Sequence, residues 1–209
     1  MVEAAKAKQE FLHIWQKVER NGSRELIVWL DANGFFEAPA SSKYHLCEPG
    51  GLAYHSVNVY RRLKKLLRDE YGDNCPYSEE TIILVSLLHD LCKIDLYKLG
   101  WKNQKTYDPD KVAAATGYQV KHDAAGDFIW ETVPAYTIEE DFVFGHGEKS
   151  VYLASKFIVL SDEEAQAIRF HMGAWQDGDK ANAGKAFALN PLAFFLHVAD
   201  EAATYLDEQ

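Results

Sequence analysis

The 209-residue chain is short of positive charge, of paired cysteines and of long apolar runs, and each shortage closes off a class of function. Lys and Arg number 22 against 32 Asp and Glu, a formal net charge of −10. Gripping long nucleic acid without sequence preference draws on many Lys and Arg contacts to phosphate, so no such partner is expected. Small anionic substrates stay open, provided that a metal ion or a local basic group reverses the field inside a pocket. The cysteines, Cys47, Cys75 and Cys92, form neither a CxxC pair nor an even framework, which predicts reduced thiols. The stretch Met1 to Gln9 is charged and Ala-rich and lacks the apolar core of a signal peptide. No apolar run approaches the length of a membrane span. The expectation is a cytoplasmic protein with no membrane partner. Internal repeats and low-complexity tracts are missing as well.

What is present is helical periodicity. A hydrophobic fraction of 47% and a charged fraction of 26% suit a single domain, 1–209, with a buried core. Phe11, Ile14, Trp15 and Val18 recur at helical spacing between Glu3 and Arg20, with Asn21-Gly22 as the stop. Ser23 reads as the N-cap of a second helix carrying Leu26, Ile27 and Leu30, so 1–34 forms N-terminal helices. After a loop holding Pro39, Pro49 and Gly50, a long helix is expected from about Gly51 to Tyr71. Ser78-Glu79-Glu80 opens another, and Ile82 to Leu91 is apolar nearly all round, the mark of a central, buried helix. Further helices are expected over Glu148 to Leu160, from the capping box Ser161-Asp162-Glu163-Glu164 towards Met172, and from Pro191 to about Leu206. Gln176 to Lys185 reads as a polar loop. Over 95–146 the pattern breaks at Gly100, Asp108-Pro109, Gly117, Gly126 and Pro134. There Tyr118 to Lys121 and Phe128 to Glu131 alternate about Asp123 to Asp127, which predicts a small β-hairpin. This insert, with Tyr97, Trp101 and Trp130, is read either as a lid or base-stacking wall or as a plain cover for the helical core.

The strongest chemical signal is His89-Asp90, near the end of that apolar helix. An imidazole and a carboxylate are costly to bury unless something compensates them, and a divalent cation does so. A helix end that simply reaches solvent is the plain alternative. His55, within Gly50-Gly51-Leu52-Ala53-Tyr54-His55, and Asp200, within Leu196-His197-Val198-Ala199-Asp200, are likewise polar spots in apolar helical surroundings. Four such groups fit convergence on one ion.

In order and setting, His55, His89-Asp90 and Asp200 resemble the H…HD…D signature of the HD superfamily of metal-dependent phosphohydrolases. The resemblance covers roughly 44–207, and His89-Asp90-Leu91-Cys92-Lys93 resembles its HDxxK form. It implies an all-α fold, an HD-domain helical bundle with the small β insert. Relatives with two further histidines between HD and the last Asp usually hold a dinuclear centre. By that analogy Asp90 bridges two ions, with His55, His89 and Asp200 on one and His146 and His171 on the other. Those two histidines otherwise read as a helix cap and a surface group. The implied cofactor is one or two divalent ions (Fe, Mn, Ni, Co, Mg or Zn). The implied activity is phosphomonoester or phosphodiester hydrolysis of a nucleotide or similar small phosphorylated molecule through metal-activated water. Beside Asp90, the expected catalytic groups are Lys93, towards a phosphate oxygen, and His45, towards the substrate or leaving group. A solvated lysine and an idle loop histidine are the respective alternatives.

Tyr44 to Leu52 also resembles the HD domain of certain bacterial 3′-to-5′ exoribonucleases, whose OB domain has no counterpart here. Two other functions stay open: a mixed-valence di-iron oxygenase of the HD type, or a nucleotide-binding protein without turnover. Gly117-Tyr118-Gln119 is not the GYP motif of cyclic-di-GMP phosphodiesterases. His122-Asp123 reads as a turn, Lys149 and Arg169 as surface charge, and His197 as a satisfied core histidine.

Overall fold

The computed structural model describes residues 3–43, 46–139, 143–175 and 180–208, so His45 lies outside the described residues. The chain is mostly helical with one small sheet, in two compact units: Lys98–Ile138, and the residues on either side of it. The helical unit contains α1 (Ala4–Trp15), α2 (Ser23–Ala32), α3 (Gly51–Tyr71) and α4 (Glu79–Leu88). It resumes with α6 (His146–Ala154), α7 (Asp162–Phe170), α8 (Lys180–Leu189) and α9 (Pro191–Ala202). Between them come β1 (Tyr97–Thr106), α5 (Pro109–Ala114), β2 (Lys121–Asp123) and β3 (Gly126–Ile138).

Two of the helical starts follow from their caps. Ser78 accepts the Thr81 backbone N–H at 3.0 Å and opens α4, whose residues Ile82 to Leu88 are all buried. Ser161 and Glu164 close the expected capping box on α7. The core is built about α3, which packs against α1, α4 and α9, while α7 packs against α4, α6 and α9.

Several boundaries differ from the expected ones. The first helix stops at Trp15, short of Arg20, because Arg20 is recruited to a tertiary site: its guanidinium holds Glu164 at 2.5 Å and Glu80 at 3.1 Å. Ser23 is inside α2, and the N-cap is Gly22 at φ +85°, where a Cβ would lie 1.9 Å from the Phe157 carbonyl oxygen. The segment after His146 turns helical two residues early and ends at Ala154. Lys180 to Lys185, expected within a polar loop, belongs to the helix Lys180–Leu189, in keeping with its alanines.

The small unit is a three-stranded sheet in the order β1-β3-β2. Tyr118 to Val120 is not strand: Gln119 N–H donates to the Thr116 carbonyl at 2.8 Å, and the Gln119 side chain accepts from Thr116, making a turn. The hairpin lies later, with Lys121 opposite Phe128, His122 opposite Asp127 and Asp123 opposite Gly126. His122-Asp123 therefore ends β2, and the turn follows it. There Asp123 accepts the Ala125 N–H at 2.9 Å.

Candidate metal centre

Each of the six expected ligands sits where an element begins, ends or is densely buried. His55 lies in the stretch of α3 from Gly51 to Tyr60, where every residue but Tyr54 is buried. His89 follows the last residue of α4, and Asp90 leads into a 3-10 turn, Leu91–Asp95, so the pair caps the helix instead of lying within it. His146 opens α6 and His171 follows α7. These two helices meet at Gly147, where a Cβ would fall 2.4 Å from the Arg169 carbonyl oxygen. That closeness leaves the His146 and His171 rings 5.5 Å apart, centroid to centroid. Asp200 comes from α9.

The six side chains converge. His55 Nε2 stands 3.1 Å from Asp200 Oδ1, 3.6 Å from Asp90 Oδ2 and 3.3 Å from His89 Nε2. His89 Nε2 is 3.5 Å from the same Asp90 oxygen. The other oxygen, Oδ1, faces His146 Nε2 at 2.7 Å and His171 Nε2 at 3.6 Å. Asp90 thus divides the histidines into two pairs, one for each oxygen. Lys93 joins them, its Nζ 2.6 Å from Asp90 Oδ2, on the 3-10 turn and largely buried.

Three of the imidazoles are aimed by their other nitrogen. Nδ1–H of His89 donates to the Ser86 carbonyl at 2.7 Å, and that of His171 to the Ile168 carbonyl at 2.6 Å. Nδ1–H of His55 donates to the Glu208 carboxylate at 3.0 Å, and Asn58 donates to the same group at 2.9 Å. With Nδ1 committed, Nε2 presents a lone pair to the cluster whenever the ring is neutral. His171 carries this furthest: its Nε2 is buried with no hydrogen-bond partner, an orphan that a cation would satisfy. Ligands at metal-bond length from one ion sit about 3–3.5 Å from each other, close to the separations found here. Among the described residues, three donor sets lie within 4.8 Å: His55, His89 and Asp200; His89, Asp90 and His171; and Asp90, Cys92 and His146. The residues fit a divalent cation.

The electrostatics of the cluster are set by burial and by the charges within it. Burial drives His55 down, yet the hydrogen bonds and charges of Asp200 and Glu208 outweigh it and lift the group to about 10. Burial also opposes a charge on His146, but Cys92 and Asp90 raise it to about 10. His89, with burial dominant, falls to about 4. Burial would raise Asp90, but the charges of Lys93 and His89 and the His146 hydrogen bond hold it well below the carboxylate range. Asp200 is held low against burial by His55 and His89. Burial opposes the charge on Lys93, and Asp90 more than restores it.

The two surface-charge expectations, for Lys149 and Arg169, are corrected. Lys149 is buried on α6 and is not surface charge. Arg169 is half-buried and pairs with Glu148 at 2.6 Å. His197 donates from Nδ1 to the His171 carbonyl at 2.6 Å and stacks on Phe187, so it steadies the backbone of a candidate ligand. His122 is exposed and pairs with Asp127 at 2.8 Å. Sequence reasoning missed Glu208 and Cys92. Glu208 stands in a charged tail that reads as solvated, and Cys92 occupies a variable place in HDxxK. No family model, curated protein or solved structure matches the chain. The fold and site define a mostly helical protein with a buried His, Asp and Cys cluster placed to hold a metal ion.

Proposed function

We propose that this protein is a metal-dependent phosphohydrolase with an HD-type helical bundle, acting on a nucleotide or similar small phosphorylated molecule. The observation that carries the reading is the division of Asp90, one oxygen towards His55 and His89 and the other towards His146 and His171. This is the arrangement implied by the resemblance of His55, His89-Asp90, His146, His171 and Asp200 to the six-ligand HD pattern. His55, His89, Asp90, His146, His171 and Asp200 would hold one or two divalent ions, which would supply Lewis acidity towards a phosphoryl oxygen and lower the pKa of a bound water. Asp90 holds the two halves together, and the imidazoles of His55, His89 and His171, fixed through Nδ1, keep their Nε2 atoms towards it. Lys93 adds a fixed positive charge at the centre of an otherwise acidic protein, the local reversal of field that an anionic substrate needs.

The test is elemental analysis of the native protein, then a panel of phosphomonoesters and phosphodiesters assayed under nitrogen with the His89→Ala and Asp90→Asn variants as controls. The expected result is bound metal at one or two equivalents and hydrolysis that both variants lose. Product formation that requires oxygen would replace the hydrolase with the di-iron oxygenase. Nucleotide binding without any product would leave a sensor, and a metal-free native protein that takes up no ion would end the proposal.

A further inference from the structure

Cys92 lies outside the implied ligand set, two residues past Asp90 in the turn Leu91–Asp95. The thiol is buried, yet its surroundings are not those of a thiol that merely fills space. Its backbone N–H donates to Ser150 Oγ on α6 at 3.1 Å, which ties the turn to that helix. Its Sγ then stands 3.3 Å from Nδ1 and 3.5 Å from Nε2 of His146, at the start of the same helix. Sγ, an Asp90 oxygen and a His146 nitrogen all lie within 4.8 Å of one another.

A second observation points to a ligand at this place. On the same oxygen, Asp90 Oδ1, converge His146 Nε2 at 2.7 Å and the partnerless, wholly buried His171 Nε2 at 3.6 Å. Since Nδ1 of His171 is spent as a donor to Ile168, Nε2 is the nitrogen left to bind a Lewis acid in a dry site.

We propose that Cys92 Sγ is a metal ligand on the His146 and His171 side of Asp90. This would make that half of the centre an N, O and S site selective for thiophilic divalent ions such as zinc, ferrous iron or cobalt. The inference rests on the reading of a metal centre at Asp90. On binding, the S–H bond gives its proton to solvent and the thiolate lone pair goes to the ion. Soft thiolate ligands favour these ions over magnesium, whereas carboxylate and imidazole alone would not separate them so sharply. The other half, with His55, His89 and Asp200, offers only nitrogen and oxygen.

The experiment is cobalt(II) titration of the full chain, followed by absorption. A thiolate ligand gives a charge-transfer band in the near ultraviolet, separate from the visible ligand-field bands that any cobalt site shows. The expected result is that the wild type and a Cys47→Ser/Cys75→Ser variant, whose one thiol is Cys92, both show the band. Cys92→Ser should lose it and keep ligand-field absorption, and His171→Ala should weaken it. Should Cys92→Ser fail to fold, as judged by circular dichroism, the double variant still decides the matter. Ligand-field bands without the charge-transfer band in that variant overturn the inference and leave the metal centre standing. No cobalt uptake at all overturns the centre itself.

Discussion

Glu208 grips His55 from behind: its wholly buried carboxylate accepts the Nδ1–H at 3.0 Å, across 153 residues of sequence. The bond fixes which nitrogen of His55 faces Asp90 and Asp200, and a carboxylate behind an imidazole also raises its basicity as a ligand. Removing it should cost metal affinity without touching a ligand. Glu208→Ala is expected to bind zinc about 10–100-fold more weakly, with Glu208→Gln between it and the wild type because an amide oxygen still accepts the bond. Equal affinities by competition titration would reduce Glu208 to packing.

Metal uptake should release protons. His55 and His146, each raised to about 10, hold a proton at neutral pH in the metal-free protein, and a ligating imidazole nitrogen cannot keep one. Binding near neutrality is therefore expected to release on the order of two protons from these imidazoles, with a further one from the Cys92 thiol where it binds as thiolate, and affinity should climb as pH rises towards 10. Calorimetry in buffers of different ionisation enthalpy counts them. A heat of binding independent of buffer would contradict this origin.

Stability of the metal-free protein should fall on both sides of neutrality, for opposite reasons. His89 titrates near 4 when folded against 6.5 in the unfolded reference, so the unfolded chain binds more protons and stability is lost as pH falls from about 6.5 towards 4. His55 and His146 titrate near 10, so their contribution is fully present below 6.5 and is lost as pH rises through 10. Urea denaturation of chelator-treated protein across pH should trace a dome. Saturating zinc should lift the alkaline limb most, since the ion replaces the protons lost there.

How far the sequence carried this picture depends on what each residue does. Of the six convergent candidate ligands, His55, His89, Asp90 and Asp200 were legible as polar groups set into apolar helical stretches, an expense that demands a reason, whereas His146 and His171 followed from the family resemblance. Glu208 was not, since its burial follows from the chain after α9 folding back on α3, which local pattern does not encode. Strand β1 escaped notice for the converse reason: Lys98 to Lys105 is exposed apart from a half-buried Gly100, so no alternation marks its faces. The first helix looked longer than it is because Arg20, a good helix former, is better used holding Glu80 and Glu164.

Lys93 offers the sharpest separation of binding from chemistry. Its Nζ stands 2.6 Å from Asp90 Oδ2, the oxygen that His55 and His89 also face, so a cation entering there meets a positive charge already in place. Two unit charges about 4 Å apart near a protein surface repel by about 4 kcal/mol, and relief of even part of this raises affinity on the order of tenfold. Lys93→Met, which keeps the stem and removes the charge, should therefore bind zinc more tightly than the wild type. If Lys93 also draws the phosphate, the same variant should hydrolyse more slowly, with the loss seen in kcat/KM at saturating metal. Tighter binding with unchanged hydrolysis would confine Lys93 to balancing Asp90. Weaker metal binding with a lowered melting temperature would show instead that the ion pair supports the turn that carries Asp90, and that the cation must bind with Lys93 still in place.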